Sequence, residues 1–405
     1  GVSVEAADCA TLMRLARPHV LRERGFKAVR PDTTDSRRRV VLLNSELQEL
    51  TQLPSALRRV IDDVGGELHR GYHIDIGYEH HSVHEVLQEL LPAGIEVPSG
   101  FESVGHLVHL NLRPEQLPHR EIIGQVLLDK LGPKVRTVVN KAHNIESTFR
   151  NLPLELIAGE QDYEVEVQHG AAKLRFDYSK VYWNSRLHTE HERLASSFGP
   201  GELVWDLFAG VGPFAVLAAQ RGATVLANDL NPAAASAIPL NARQNGVAAR
   251  VHAYNLDAEE FVRRALSSCS GGSSDQSLSA ARLPTDADLG SDQAILARHS
   301  CALGEEQSIS AAAAAAEAQP PSHIIMNLPA SSIRFVSALR QLSVMPIKPV
   351  AHCYSFSNLA AADERLAEAT ERLCSALQRL PAELVVREVR SVAPSKVMLL
   401  YTFRL

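Results

Sequence analysis

The stretch that most constrains this chain is Val204–Pro232, VWDLFAGVGPFAVLAAQRGATVLANDLNP. Val204 to Leu207 is a short apolar run broken only by Asp206, as expected of a strand buried in a parallel sheet. Ala209-Gly210-Val211-Gly212 supplies a tight turn of small residues, and Pro213 to Gln220 resumes at helical spacing. A second buried strand, Thr224 to Ala227, ends in Asn228-Asp229. This order of strand, loop, helix, strand and acid makes a ligand site largely from backbone. Small residues let the main chain approach the ligand, the helix N-terminus offers free N–H groups, and an acid about 20 residues on grips a ribose diol.

The glycines narrow the choice of ligand. A dinucleotide fingerprint needs three of them, and Gly210 and Gly212 have no third partner at the right offset. No GxxxxGK[ST] occurs, so a phosphate-cradling loop is not expected. DLFAGVGPF resembles instead the loop of class I S-adenosylmethionine-dependent methyltransferases, whose cofactor has no pyrophosphate. The plain alternative is an ordinary α/β crossover with a glycine turn.

The 405 residues suffice for two or three domains, and 45% hydrophobic with 22% charged residues is ordinary for a globular chain. A net charge of −6 excludes a generally basic nucleic-acid coat, so any RNA contact must be local. Cys9, Cys269, Cys301, Cys353 and Cys374 are scattered, odd in number and never at CxxC spacing; they read as reduced thiols, with neither a disulfide frame nor a metal site. No apolar run approaches the length of a membrane span, so no membrane association is expected. The beginning of the chain is Arg-rich (Arg14, Arg17, Arg22, Arg24), a trait of organellar presequences, against which Glu5, Asp8 and Glu23 stand.

Along the chain, Ala10 to Arg24 is amphipathic, and Arg37-Arg38-Arg39 leads into an apolar run. Pro54 to Val64 is expected to be helical, and His80-His81 with His84 to lie on a surface helix. Gly105–Leu112 alternates like a strand, Ile122 to Leu131 has helical spacing, and Val135 to Val139 is a further strand. Lys130, Lys134, Arg136, Lys141 and Arg150 oppose the lone carboxylate Glu146, which makes this stretch the candidate RNA-facing surface or else a solvated face. Tyr163–His169 and Lys173–Tyr178 should pair as a hairpin through Gly170, and Thr189 is expected to cap a helix with Glu190 and Glu192 in its first turn. After Asp229 the pattern continues with a helix, a strand at Arg250–Tyr254 and Asp257-Ala258 at its end. Residues 267–321 are Ser/Ala/Gly/Gln-rich, and most of them read as a disordered insertion whose Ala-rich pieces are at most transiently helical. His323–Met326 resumes the sheet and ends in Asn327-Leu328-Pro329-Ala330, followed by strands at Val350–Ser355, Val385–Val389 and Val397–Phe403 and a helix at Ala361–Leu380.

Ligands of open α/β sheets bind beyond the carboxyl ends of the strands. Four such ends carry Asp206–Gly212, Asp229-Leu230, Asp257-Ala258 and Asn327–Ala330. Asp229 suits ribose hydroxyls and Asp257 an adenine amino group, although a helix-capping role explains Asp257 equally simply. Asn327 can present its amide to a planar base edge, because Pro329 stiffens the turn; the bland reading is a simple turn.

RTVVNKAHNIESTFRNLPLELIAGE (Arg136–Glu160), FDYSKVYWNSRLHTEHERL, DLFAGVGPF and MNLPA together resemble the eukaryotic and archaeal tRNA (guanine(37)-N1)-methyltransferases, as do GFESVGHLVHLNL and VREVRSVAPSKVMLL. The resemblance runs from about residue 95 onward, the insertion excepted. It implies an α/β class I methyltransferase fold: a Rossmann-like doubly wound sheet at 186–405, preceded by a smaller α+β tRNA-binding domain at 96–185 and an N-terminal extension at 1–95. It also implies S-adenosylmethionine as donor, N1 of the guanosine 3′ of the tRNA anticodon as acceptor, and a role in reading-frame maintenance and the first step of wybutosine synthesis. Arg150, Glu190 and Asn327 match its catalytic positions; His191, Asp206, Gly210, Gly212, Asp229, Leu230, Asp257, Ala258 and Asn327 its cofactor positions. Arg150, Asn327, Pro329 and Lys141 fall where substrate is met. A metal-free monomer is expected, in the cytoplasm and also in the nucleus and mitochondrial matrix.

Those residue types suit the chemistry. Guanine N1 carries a proton that must leave before its lone pair can attack, which asks for a base such as Glu190. Charge then moves to O6, which asks for a cation such as Arg150. Two alternatives remain: transfer of the aminocarboxypropyl group of the same cofactor, as in related wybutosine-pathway enzymes, and a catalytically silent tRNA-binding protein on this fold.

Overall fold

The computed structural model describes residues 1–22, 25–44, 46–47, 49–70, 72–141, 153–270, 278, 283, 313–345 and 348–405. Arg150 and most of the expected insertion lie outside the described residues. Contacts divide the chain into two units, Gly1–Ser99 with Arg113–Gly132, and Gly100–Leu112 with Pro133–Leu405.

In the first unit, β1 (Val2–Glu5), β2 (Val29–Pro31), β3 (Arg38–Val41) and β4 (Glu67–Leu68) form a sheet of order β2-β3-β1-β4. Helices α1 (Cys9–Leu15) and α2 (Ser55–Asp63) bring Leu12, Leu57 and Ile61 against Val2, Val4 and Val41 in a small core. The amphipathic stretch from Ala10 yields a helix only as far as Leu15, because Pro18 lacks the N–H a continuing helix needs. Helix α3 (Val83–Leu90) begins at Ser82, whose hydroxyl accepts the Glu85 N–H while the Glu85 carboxylate accepts the Ser82 N–H. It packs against α4 (Arg120–Leu131). Of the cation run, Lys130 falls in this unit, where its ammonium lies 3.9 Å from the centre of the Tyr78 ring.

The second unit opens with β5 (Glu102–Val104), β6 (Leu107–Leu110), β7 (Thr137–Lys141) and β8 (Leu154–Gly159), paired in that order. Gly105, in the β5–β6 turn, has φ +59°, and a side chain there would bring a Cβ within 2.7 Å of the Glu166 carbonyl oxygen. The glycine admits β9 (Glu164–His169), which forms the expected hairpin with β10 (Ala172–Asp177). Helix α5 (His188–Ala195) starts two residues earlier than expected, and Thr189 does not cap it. The side-chain cap belongs to Asn184, which accepts the Arg186 N–H at 3.1 Å and starts the 3-10 turn that feeds α5.

The large sheet comprises β11 (Leu203–Asp206), β12 (Thr224–Asn228), β13 (Val251–Tyr254), β14 (His323–Met326), β15 (Val350–Ser357), β16 (Ala382–Ala393) and β17 (Lys396–Arg404), in the order β13-β12-β11-β14-β15-β17-β16. The first five strands in this order run parallel, and β17 is antiparallel to both neighbours. Helix α6 (Pro213–Gln220) is buried over nearly its whole length, which explains its apolar residues on every face. Helix α7 (Pro232–Gln244) is capped by Asn231, α8 (Ala258–Cys269) by Asp257, and α9 (Ala362–Leu377) packs opposite a run of 3-10 turns at Ser332–Val344.

The described parts of 267–321 include packed residues. Helix α8 runs on to Cys269, residues 313–317 are helical, and Leu278 and Ala316 are buried in the same core as Trp205 and Phe261. Glu317 accepts a hydrogen bond from the Tyr254 hydroxyl at 2.7 Å. Small alanines pack closely without a large apolar face, so composition alone conceals their burial. No described helix is long and apolar enough to cross a membrane.

Candidate active site

The order of the large sheet reverses between β11 and β14, with β12 on one side and β15 on the other. A cavity opens there, lined by the loops that follow β11, β12, β13 and β14, with a wall from α5 and from the β16–β17 hairpin.

The first loop is shaped by positive φ at Gly210 (+56°) and Gly212 (+91°), conformations that residues with a Cβ adopt at a cost. Gly212 is the N-cap of α6 and Pro213 its first residue, where the missing N–H is no loss. Gly210 lines the cavity, and a Cβ on it would meet no protein atom within 4 Å. Its N–H donates to Asp229 Oδ2 at 2.7 Å, and Asn231 N–H donates to Asp229 Oδ1 at 2.9 Å. Each Asp229 oxygen so keeps a further lone pair, enough for two ribose hydroxyls. Burial raises the Asp229 carboxyl, while the Asn231 and Gly210 N–H groups pull it back.

Of the expected cofactor residues, His191, Gly210, Asp229, Leu230, Asp257, Ala258 and Asn327 line this cavity together with the substrate residue Pro329. Asp257 does two things: it lines the wall, and its Oδ1 accepts the Glu259 N–H at 2.8 Å to cap α8. Asp206 and Gly212 do not line it. Gly212 turns the chain into α6, and Asp206 is wholly buried at the end of β11. Neither Asp206 oxygen has a well-formed hydrogen bond, although the Phe208 N–H offsets part of the burial that raises its carboxyl to about 8. Lys141 closes β7 away from the cavity, its ammonium pKa lowered by burial despite Glu102.

Two polar atoms among the lining residues are orphaned. His191 Nε2 and Asn327 Oδ1 are buried and have no hydrogen-bond partner among the described residues. His191 Nδ1 lies 2.8 Å from His169 Nε2, and burial, with His169 and His188 nearby, drives its pKa well below the ordinary value. The ring is therefore neutral, and Nε2 takes whichever role Nδ1 does not. Orphaned groups of this kind, beside an open glycine and an acid with spare lone pairs, fit an adenosyl ligand rich in hydroxyl and amine groups.

Glu190 is buried one residue away from His191, and its carboxylate is crowded. Oε1 accepts from Arg193 Nη2 at 2.9 Å and from the Tyr354 hydroxyl at 2.8 Å; Oε2 accepts from Arg193 Nε at 2.9 Å and from Arg387 Nη2. Burial, the largest influence, pushes its pKa up, but Arg193, Tyr354 and Arg387 together outweigh it and hold the carboxyl below its ordinary value. Tyr354 and Arg387 escaped the sequence reading. Both come from strands read only as sheet, and they meet Glu190 across 164 and 197 residues. Arg193 was detectable as an i,i+3 partner. Arg390, also on β16, is the one Lys or Arg among the described residues lining the cavity.

The molecule's relatives agree with this architecture. A family model described as the TYW2 N-terminal domain matches residues 83–162, and one described as the TRM5/TYW2 methyltransferase domain matches 165–268. A tRNA (guanine(37)-N(1))-methyltransferase of Phytophthora infestans is 35% identical over 100% of this chain and 89% of its own length. The protein of the same name from Mus musculus is 34% identical over 97% of this chain and 72% of its own. A solved complex of aTrm5 and tRNALeu, 18% identical, shares the fold over 100% of this chain and 99% of that one, with a TM-score of 0.65. The chain belongs to the tRNA (guanine(37)-N(1))-methyltransferase family.

Proposed function

We infer that this chain is an S-adenosylmethionine-dependent methyltransferase acting on N1 of guanosine 37 of tRNA. The observation that carries the reading is the meeting of Asp229, Asp257, His191 and Asn327 in one cavity, in a chain whose near-full-length relatives bear that name. S-adenosylmethionine supplies a methyl group on a positively charged sulfur, which leaves as a neutral thioether when the methyl passes to N1. Asp229 holds the ribose hydroxyls, while Asp257, Leu230 and Ala258 border the adenine. Gly210 and Gly212 let the backbone close on the donor, and Asp206, buried at the end of β11, sits where the strand passes into that loop.

Glu190 takes the N1 proton, a contribution of about 10²–10⁴-fold for a placed general base. Arg150 neutralises the charge that moves to O6. Asn327, stiffened by Pro329, holds the base edge so that N1 faces the methyl; such alignment supplies up to about 7–11 kcal/mol of a displacement barrier. Lys141 lies on the RNA-binding portion and meets backbone phosphate. The target base leaves its stack to enter the cavity. The three-part division at 1–95, 96–185 and 186–405 assigns tRNA binding to the second part, which also brings Arg150, and cofactor binding to the third. The chain acts as a monomer. It works off the membrane, in the cytoplasm, nucleus and mitochondrial matrix, where tRNA is made, matured or used.

The test is methylation of unmodified tRNA transcripts carrying guanosine or adenosine 3′ of the anticodon. Methyl gain on the guanosine transcript alone is expected. A larger mass gain would mean aminocarboxypropyl transfer, and binding without turnover would mean a silent tRNA-binding protein. Sedimentation and cell fractionation test the monomer and the compartments.

A further inference from the structure

A carboxylate offers about four lone-pair positions, and Glu190 has four donors. As folded, it has no position left for an incoming N1–H. One donor must therefore withdraw before Glu190 can act as a base.

The three residues that supply the donors are unequal. Arg193 sits one turn along the same helix and makes two parallel bonds, the sturdier arrangement for an arginine and a carboxylate. Tyr354 is wholly buried on β15, and burial next to Glu190 keeps its hydroxyl protonated and donating. Arg387 holds Glu190 through a single guanidinium nitrogen, and its own Nε is buried without a partner among the described residues. It belongs to β16, the outermost strand of the sheet, whose pairing with β17 shifts register between Glu388 and Arg390. Three and five residues further on, the same strand lines the cavity through Arg390 and Val392. A polyanion entering the cavity thus meets the strand that carries this single-nitrogen attachment.

We propose that Arg387 is a latch on the catalytic carboxylate: it occupies Glu190 in the free enzyme and is drawn onto a phosphate of the bound RNA, leaving Glu190 open to the N1 proton. The proposal rests on the assignment of Glu190 as base. Arg387 is a positioning residue, since it acts through Glu190. An arginine gives up one oxyanion for another at small cost, so the exchange leaves the guanidinium satisfied while it frees the carboxylate. The other groups facing Glu190 stay in place: Arg193 and Tyr354 as described, and His352 on β15. Burial, His323 and Arg193 drive the His352 pKa down to about 3 against the pull of Glu190, so its ring is neutral in both states.

The experiment is the pH dependence of single-turnover methylation of a tRNA transcript, at limiting and at saturating tRNA. Limiting tRNA reports the free enzyme, and saturating tRNA reports the complex. A cation beside a carboxylate lowers its pKa by about 1–3 units. In the wild type, the acid limb at limiting tRNA should therefore lie about 1 unit or more below the limb at saturating tRNA. Arg387→Gln should raise the limiting-tRNA limb to meet the other, and Arg387→Lys should keep it low. Coincident limbs in the wild type overturn the latch, and so does an Arg387→Gln limb that stays put. The wild-type comparison stands even if the glutamine variant folds poorly. Glu190→Gln separates the two levels of the argument. Wild-type turnover in that variant removes the base itself, whereas lost turnover with coincident wild-type limbs removes only the latch.

Discussion

On the side of the cavity built by β11, β12 and β13, ligand-facing groups are fixed by backbone: Asp229 by the Gly210 and Asn231 N–H groups, Asp257 by the cap it makes on α8. Behind the wall built by α5, β15 and β16, Glu190 is buried, does not itself line the cavity, and is fixed by side chains that include two from distant parts of the sequence. Backbone anchors hold one geometry whether or not a ligand is present. Side-chain anchors can be exchanged, and a base that must be occupied at rest and free in the complex needs exchange. The donor half is a preformed seat, and the acceptor half is a set of movable parts.

The largest effect should come from the acceptor half. Glu190→Gln should lower single-turnover methylation by about 10²–10⁴-fold, with cofactor affinity measured by calorimetry unchanged. A matching loss of cofactor affinity would erase the distinction between the halves. Arg150→Ala should cost about 10²–10³-fold in the same assay, as does removal of one donor to a developing oxyanion. In the donor half, Asp229→Ala strands two backbone N–H groups and removes the ribose acceptor. At about 1–3 kcal/mol for such a loss, cofactor should bind roughly 5- to 150-fold more weakly. Turnover at saturating cofactor should stay near wild type, and a collapse there would show that the seat also shapes the chemistry.

The last effect concerns stability rather than activity. Burial raises the Asp206 carboxyl to about 8, so the folded chain keeps a proton there that the unfolded chain has already released. The contribution of this group is greatest at low pH and is lost as pH rises toward about 8. Asp206→Asn, which has no proton to lose, should melt above the wild type by a margin that widens from about pH 5 to about pH 8 and then levels off. A constant margin would mean that Asp206 is ionised in the fold.

The donor half was legible in the sequence for the same reason that it is rigid. Strand, glycine loop, helix and acid follow one another within Val204–Pro232, and local order suffices to place Gly210 near Asp229. Pro213–Gln220 appears as the helix its spacing announced. The acceptor half was legible only in part. Glu190 and Asn327 could be matched by motif, but Tyr354 reads as one more residue of a buried strand, and Arg387 as one more charge on an edge. Thr189 misled because its hydroxyl suits a helix start, whereas Asn184 had already begun the turn. In 267–321, buried Leu278, Ala316 and Glu317 were hidden by a composition that signals disorder.

The span between Glu190 and Arg387, 197 residues, bears on the order in which the protein assembles. The seat for the donor closes through contacts a few tens of residues apart, and such short loops form early. The clasp around the carboxylate needs the β16–β17 hairpin in the sheet, so it carries a larger loop-closure cost than the bonds that hold Asp229.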